Sequence, residues 1–375
     1  MYCERMIFMK KKLALLLTAA MTLSLLGGCG WFGKGGASSS GAASTPPAAS
    51  SQPVGDVSQP TGDVSEPDPG PAATYELPNL MVMSGPTGVG AAQLLMVNEP
   101  SSSAVHSVAS ATVVTDNTEV MNALINGDAD IAAVATNVAA NLVNKTNGGV
   151  QVLAINTLGV LYVLEKGDTV HTMSDLRGKT LYAPSTAKGA NPEYILNYLL
   201  EENDVDPTQV NIEWMTPQEI TAKMASSEEG VCMLPVPAAT ALLIKDSGVR
   251  EAVSLSTEWD KLENGALAQG CIVARTDYIE ENPEGVTEFL KAYEESIHFM
   301  KDEANREAAA DLVARYEITA NAAIAAKAIP QCNLTYITGE EMKDILQEFY
   351  QIMFQADPKS IGGAMPYDSF YYGTE

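Results

Sequence analysis

Positive charge is what this 375-residue chain most conspicuously lacks. It carries 22 Lys and Arg against 47 Asp and Glu, a formal net charge of −25. A surface this negative offers no electrostatic grip on nucleic acid or on anionic lipid, so neither is expected as a partner. Histidine is rarer still: His106, His171 and His298 stand far apart, with no H-E-x-x-H and no Cys/His cluster. That excludes a dedicated zinc centre, and the metal expectation is none. Cysteine appears five times without C-x-x-C spacing, and only Cys232, Cys271 and Cys332 lie beyond residue 29. Three is odd, which rules out a complete disulfide framework, and the apolar settings "GVCMLP" and "QGCIVA" read as buried structural thiols. No constellation of nucleophile, base and orienting group recurs anywhere, so no catalytic residue is assigned and no cofactor is expected.

Long apolar runs are also scarce. The one from Leu13 to Leu26 spans 14 residues, short of the roughly 20 a membrane helix needs. It follows Lys10, Lys11 and Lys12 and meets "LGGC", Leu26 to Cys29, the pattern of a secretory signal. A Cys directly after two glycines makes it resemble a bacterial lipoprotein signal. Residues 1–28 are then the signal peptide and Cys29 the lipidated anchor, with palmitate or a similar acyl group, on the extracytoplasmic face of the cell membrane. Taking away the net +3 of the signal leaves −28. Residues 29–76 are Ser, Pro, Gly and Ala with almost no large apolar side chain, and echo "SQPVGDV" as "SQPTGDV". Such a segment cannot bury enough surface to offset its ordering entropy, so it reads as a disordered tether.

The stretch "MVMSGPTGVGAAQLL", Met81 to Leu95, has half of a phosphate-binding loop: Gly85, four residues, then Gly90, after a short apolar strand. Ala91 and Ala92 stand where Lys and Ser or Thr are needed. Without the Lys ammonium and the magnesium-holding hydroxyl, phosphoryl transfer is excluded, though backbone N–H groups could still cradle a polar ligand.

A second pattern organises the rest. "EVMNALINGDADIAAVATNVAANLV" from Glu119 and "EITAKMASSEEGVCMLPVPAATALL" from Glu219 place apolar residues at matching positions one hundred apart. Each reads as helix, turn, buried strand, helix. The same offset sets "SGPTGVG" against "PSTAKGA", Pro184 to Ala190. Two α/β lobes of one plan follow, and open parallel sheets bind ligands beyond the carboxyl ends of their strands. Two capping boxes are expected, Thr216 to Glu219 and Thr338 to Glu341, the latter opening a helix with Met342, Ile345, Leu346, Phe349 and Met353 on one face.

"MSDLRGKTLYAPS" (Met173 to Ser185), "ALINGDADIAAVATNVAA" (Ala123 to Ala140) and "CIVARTDYIEENPEGVTEFLKAYEESI" (Cys271 to Ile297) resemble the substrate-binding lipoproteins of ABC importers, in the nitrate/sulfonate/taurine-type group. The resemblance implies the α/β two-lobed type II periplasmic-binding-protein fold. It also implies lobe 1 from 77–165 and 272–375, lobe 2 from 166–271, and C-terminal helices packed on the first lobe. A monomer that captures a small polar solute by lobe closure and hands it to a membrane permease with its cytoplasmic ATPase is the implied role. Bending is expected at Tyr162 to Lys166 and Gly270 to Arg275. A ligand-sensing lipoprotein without transport, or a pyrimidine-synthase-like enzyme on the same fold, is the competing reading; the enzyme needs a reactive His and a Cys-rich motif not found here.

The expected contacts are Ser84, Gly85, Pro86, Thr87 and Gly88 with Thr136 and Asn137 in one lobe. Facing them are Ser185, Thr186, Lys188 and Gly189 with Pro235, Val236 and Pro237. Hydroxyls, an amide and helix-start N–H groups suit an anionic or neutral polar solute. Because "MLPVPAA" adds no polar group, a strongly anionic solute is disfavoured, and Tyr162, Tyr182, Trp214 and Trp259 are candidates for a flat wall.

Overall fold

The computed structural model describes residues 75–99 and 107–374. The expected signal, Cys29 and the tether up to residue 74 lie outside the described residues, as does His106. Eleven strands form two sheets among the described residues. The first sheet holds β1 (Asn79–Met83), β2 (Ser110–Val114), β3 (Ile131–Ala135), β4 (Val150–Thr157), β10 (Gly270–Arg275) and β11 (Leu334–Ile337), in the order β11-β4-β10-β3-β1-β2. The second holds β5 (Leu161–Lys166), β6 (Thr180–Pro184), β7 (Asn211–Met215), β8 (Gly230–Pro235) and β9 (Val249–Ser254), in the order β7-β6-β8-β5-β9.

The hundred-residue echo is the symmetry of this topology. In the first sheet β1 pairs parallel with β2 and β3, and β10 runs antiparallel between β3 and β4. In the second, β6 pairs parallel with β7 and β8, and β5 runs antiparallel between β8 and β9. Each sheet thus receives its antiparallel strand from chain that has just crossed from the other. The fold is the two-lobed α/β type II arrangement.

The helices are α1 (Pro86–Val89), α2 (Asn117–Asn126), α3 (Thr136–Thr146), α4 (Asn191–Glu202), α5 (Pro217–Ser226), α6 (Ala238–Lys245) and α7 (Leu255–Asp260), then α8 (Thr276–Glu281), α9 (Pro283–Lys301), α10 (Arg306–Arg315), α11 (Ala322–Ala328) and α12 (Gly339–Ala356). Helix α5 begins as its sequence demands. Thr216 Oγ1 accepts from Glu219 N at 3.2 Å, Glu219 Oε2 accepts from Thr216 N at 2.7 Å, and Pro217 occupies the first turn where no N–H is missed. The expected box at Thr338 does not form: α12 starts without a side-chain cap. Gly339 takes φ +62 there, a left-handed turn that carries the Thr338 hydroxyl out of line with the first N–H groups.

The C-terminal helix also does more than pack on the first lobe. Met342, Leu346, Phe349, Tyr350 and Met353 are buried along α12, and Ile345 is half-buried. They share one core cluster with Leu196 and Trp259 of the second lobe and Val152 and Ile155 of β4. An aromatic chain marks the bridge, with centroids of Tyr198 and Trp259 5.4 Å apart, Trp259 and Phe349 5.7 Å, and Phe349 and Tyr350 5.8 Å.

The strands expected to bend do not suit that role. Leu161–Lys166 is laddered on both sides by β8 and β9, and Gly270–Arg275 by β3 and β4. Bending either would break two ladders of backbone hydrogen bonds. The chain crosses between sheets just outside them, in the unladdered residues 158–160 and 261–269. Gln269 joins the two crossings, its Oε1 accepting from Val160 N at 2.6 Å. Gly270 must be glycine: a Cβ there would meet Thr87 Cγ2, Asn156 Oδ1 at 2.5 Å and Thr157 Cβ at 3.0 Å.

Cys232, Cys271 and Cys332 are free and buried. Burial pushes the Cys232 and Cys332 thiols up to about 12, and Cys271 higher still, so none is a thiolate at neutral pH. Among the described residues, no group of three or more His, Cys, Asp or Glu could hold a metal ion, and no helix is long and apolar enough to cross a membrane.

Candidate functional site

A cavity of about 560 Å³ opens where the lobes meet. The first lobe supplies the turn from β2 into α2 (Thr115, Asp116, Asn117, Thr118) and one face of α3 (Asn137, Val138, Asn141, Lys145). The second lobe supplies the turn from β6 into α4, from Ser185 to Tyr194. Lys359, from the turn after α12, completes the wall. The volume is that of a small-molecule cleft.

Local sequence explains how these groups are presented. Asp116 caps α2, its Oδ1 accepting from Thr118 N at 2.6 Å, and that bond holds its carboxyl below the ordinary value. Asn137 sits at the start of α3 and is only 2% exposed, yet its Oδ1 has no hydrogen-bond partner. A buried amide acceptor without a donor costs free energy unless something else fills the place. Across the cavity Ser185, Thr186, Lys188 and Gly189 are exposed, with Gly189 at φ +69. Burial, with Asp357 and Glu193 nearby, raises the Tyr194 phenol.

Five of the expected contacts therefore line one cavity: Asn137, Ser185, Thr186, Lys188 and Gly189. Thr136 is beside them but fully buried, and it ties the lobes together. Its Oγ1 donates to Ala268 O at 2.8 Å and accepts from Asn191 Nδ2 at 2.7 Å, while Tyr350 OH donates to its carbonyl at 2.9 Å.

The other two loops are not brought to this cavity. In the Gly-rich stretch Ser84, Gly85 and Pro86 are half-buried, but Thr87 and Gly88 are buried in the first lobe, and the Thr87 carbonyl accepts from Asn156 Nδ2 at 3.2 Å. Gly85, at φ +104 and ψ −157, makes the turn only glycine adopts with ease. Ala91 and Ala92 are 0% exposed, and Ser296 Oγ donates to the Gly90 carbonyl at 2.7 Å. The P-loop-like spacing is a core turn leading into a four-residue helix, away from the cavity of about 560 Å³.

Pro235, Val236 and Pro237 form a turn with a cis Val236–Pro237 bond. Val236 is 0% exposed in the first lobe's core cluster, and its N–H donates to Val160 O at 3.0 Å. Thr240 Oγ1 then bonds Gln331 Oε1 at 2.9 Å, closing this side against the C-terminal segment. None of the four aromatic candidates lines the cavity either. Trp259 is wholly buried, and Tyr182 lies under Lys223 Nζ, 4.2 Å from the ring centroid.

Sequence reasoning missed Thr115 to Thr118, Asn141, Lys145 and Lys359. The capping pattern of "TDNTE" was a legible signal for the first group, since a helix start beyond a parallel strand is where such folds bind. For Lys359 there was none, because it is 214 residues from Lys145.

A protein-family model, NMT1/THI5 like, matches residues 150–307, from β4 to the start of α10. Solved structures similar to the chain extend the likeness to both lobes. One is an ABC transporter structure from Parabacteroides distasonis, 25% identical with a TM-score of 0.63, covering 79% of this chain and 98% of that one. The periplasmic aliphatic sulphonate binding protein SsuA of Escherichia coli is 18% identical, with a TM-score of 0.60 over 78% of this chain and 96% of its own. The alkanesulfonate-binding protein SsuA of Xanthomonas axonopodis pv. citri, bound to MOPS, is 13% identical, with a TM-score of 0.56 over 76% and 94%. No curated protein matches the sequence closely. The segment that the family model matches thus sits within the fold of periplasmic binding proteins of ABC transport.

Proposed function

We propose that the chain is the solute-binding component of an ABC importer. It is held outside the cytoplasmic membrane by lipid on Cys29 and takes up a small polar solute between the lobes. Their bounds shift from the sequence expectation because β5 (Leu161–Lys166) joins the second sheet and β10 (Gly270–Arg275) the first: lobe 1 is 77–157 with 270–375, and lobe 2 is 161–260. The observation that carries this reading is the cavity itself: about 560 Å³, walled by both lobes, with a buried and unpartnered Asn137 at a helix start. The fold shared with binding proteins of ABC transport supports the same role. Asn137, Ser185, Thr186, Lys188 and Gly189 are the contacts we retain from the sequence. Closure of the lobes turns on residues 158–160 and 261–269, the unladdered crossings, with differential contact to the closed state driving the shift.

A thermal-shift screen against sulfonates, nitrate, amino acids, pyrimidines, carboxylates and phosphate esters, followed by small-angle scattering with any hit, tests it. A true solute at a hundred times its dissociation constant adds about 2.7 kcal/mol and compacts the protein. A hit without compaction refutes closure. A blank screen, with no permease or ATPase gene beside this one, refutes the importer reading.

A further inference from the structure

The turn after α12 carries a side chain to the solute cavity from far along the chain. Asn141 Nδ2 donates to Ser360 O at 3.4 Å, and Asn144 Nδ2 donates to Ile361 O at 2.9 Å and Ala364 O at 2.8 Å. Both asparagines project from α3, the helix that presents Asn137 and Lys145. Gly362 at φ +83 and Gly363 at φ +91 let the chain fold tightly against them. Asp357 Oδ1 accepts from Lys359 N at 2.9 Å and fixes the turn from its other end. These bonds fix the backbone of the turn, and with it the position from which the exposed Lys359 side chain reaches the cavity wall.

Its neighbours define what it can recognise. Lys145, Lys188 and Lys359 line the cavity against a single carboxylate, Asp116, so the wall carries a net +2. Asp116 already spends Oδ1 on Thr118 N, and Glu193, which accepts from Gly189 N, does not line the cavity. None of the three lysines forms an ion pair among the described residues; the lysines that do are Lys166, Lys223, Lys261 and Lys343. In a chain of net charge −25, three unpaired ammonium groups around one cavity are a local reversal of sign. The buried Asn137 Oδ1, without a donor, adds a requirement for one hydrogen-bond donor on the ligand.

The geometry points to a small dianionic solute bearing a hydroxyl or amino group, with Lys359 as the residue that selects for the second charge. This rests on the solute-binding reading and reverses the sequence expectation, which disfavoured a strongly anionic solute because the 235–237 turn is apolar. That turn is not part of the cavity, so its apolar character says nothing about the ligand.

Calorimetric titration of the full-length chain at low salt tests it. The probes are glycerol 3-phosphate and malate as hydroxylated dianions, lactate and methanesulfonate as monoanions, and glycerol as the neutral comparison. The dianions bind about tenfold or more tightly than lactate, and added salt narrows the gap. Lys359→Met removes most of that gap, Lys359→Arg keeps it, and Asn144→Ala narrows it by loosening the turn. Lys327→Met, an exposed lysine outside the cavity, leaves it unchanged. Equal binding of mono- and dianions, or a Lys359→Met gap as wide as that of Lys327→Met, overturns the proposal. A neutral or monoanionic solute that compacts the protein without regard to Lys359 overturns it while leaving the solute-binding reading intact. A chain that binds no solute of any charge overturns both.

Discussion

Glu165 is the most consequential charge buried in the second lobe, and Glu165→Gln measures what it holds. The side chain is 2% exposed on β5, directly across from Arg250 on β9. Its carboxylate accepts from Thr169 N at 2.9 Å, Thr169 Oγ1 at 2.6 Å, Val170 N at 3.0 Å and Arg250 Nη2 at 2.5 Å. An amide in its place turns an N–H₂ toward donors that need an acceptor. Hydrogen bonds to a charged group contribute about 1.5–3 kcal/mol, and removing one partner of a buried pair costs about 3–5 kcal/mol. Arg250 is a third exposed and keeps Asp168, Gly167 O and Val170 O, which softens its loss. The expected net cost is about 2–3 kcal/mol, or roughly 3–5 °C in Tm for a folded chain of about 300 residues. Burial opposes ionisation of Glu165, but the Thr169 hydroxyl, the Val170 and Thr169 N–H groups and Arg250 outweigh it and lower the carboxyl below 4.5. A depressed folded-state pKa contributes stability that is fully present above the unfolded value and lost as pH falls through the folded one. The gap between the native chain and Glu165→Gln in urea unfolding is therefore widest near pH 7 and narrows below pH 4.5. A gap under about 0.5 kcal/mol at pH 7, or one that stays constant from pH 5 to pH 3, refutes this account.

Gly270→Ala drives a methyl into Thr87, Asn156 and Thr157 at the lobe crossing, and urea unfolding should register a loss of about 1–3 kcal/mol. Asn137→Ala weakens binding of the cognate solute about tenfold while leaving Tm within a degree or two, whereas Thr87→Ala, walled in by the first lobe, lowers stability and spares affinity; titration paired with thermal melts separates the two. Thr216→Ala removes the cap of α5 and costs about 1 kcal/mol by the same unfolding assay. Cys232, Cys271 and Cys332 should resist iodoacetamide at pH 8 in the folded protein and react on unfolding, as mass spectrometry would read directly.

Much of the fold was legible before any coordinates because strand and helix patterns are local. Short apolar runs and the helices that flank them placed β1, β3, β6 and β8, and the hundred-residue match of apolar positions anticipated two lobes of one plan. Capping chemistry spans four residues, so Thr216 to Glu219 could be read directly; Thr338 to Glu341 failed because a left-handed glycine between them is a backbone choice that residue type alone does not report. The candidate site was half legible. Ser185 to Gly189 and Asn137 follow strands whose carboxyl ends face the cavity. Thr87, Gly88 and Val236 occupy equivalent places in the pattern, yet neighbouring elements cover them: the first lobe's interior over the Gly-rich turn, Val160 over the cis-proline turn.

The sequence by itself determined most of the local elements, the repeat of one plan in two lobes, the three buried thiols and the negative net charge, because each depends on residues near one another or on a sum over the chain. Only the tertiary structure decided which loops stay open, that α12 bridges both lobes through Trp259 and Phe349, and that Lys359 joins Lys145 and Lys188. Those facts depend on which distant side chains packing brings within a few ångströms, and spacing along the chain carries no record of that distance.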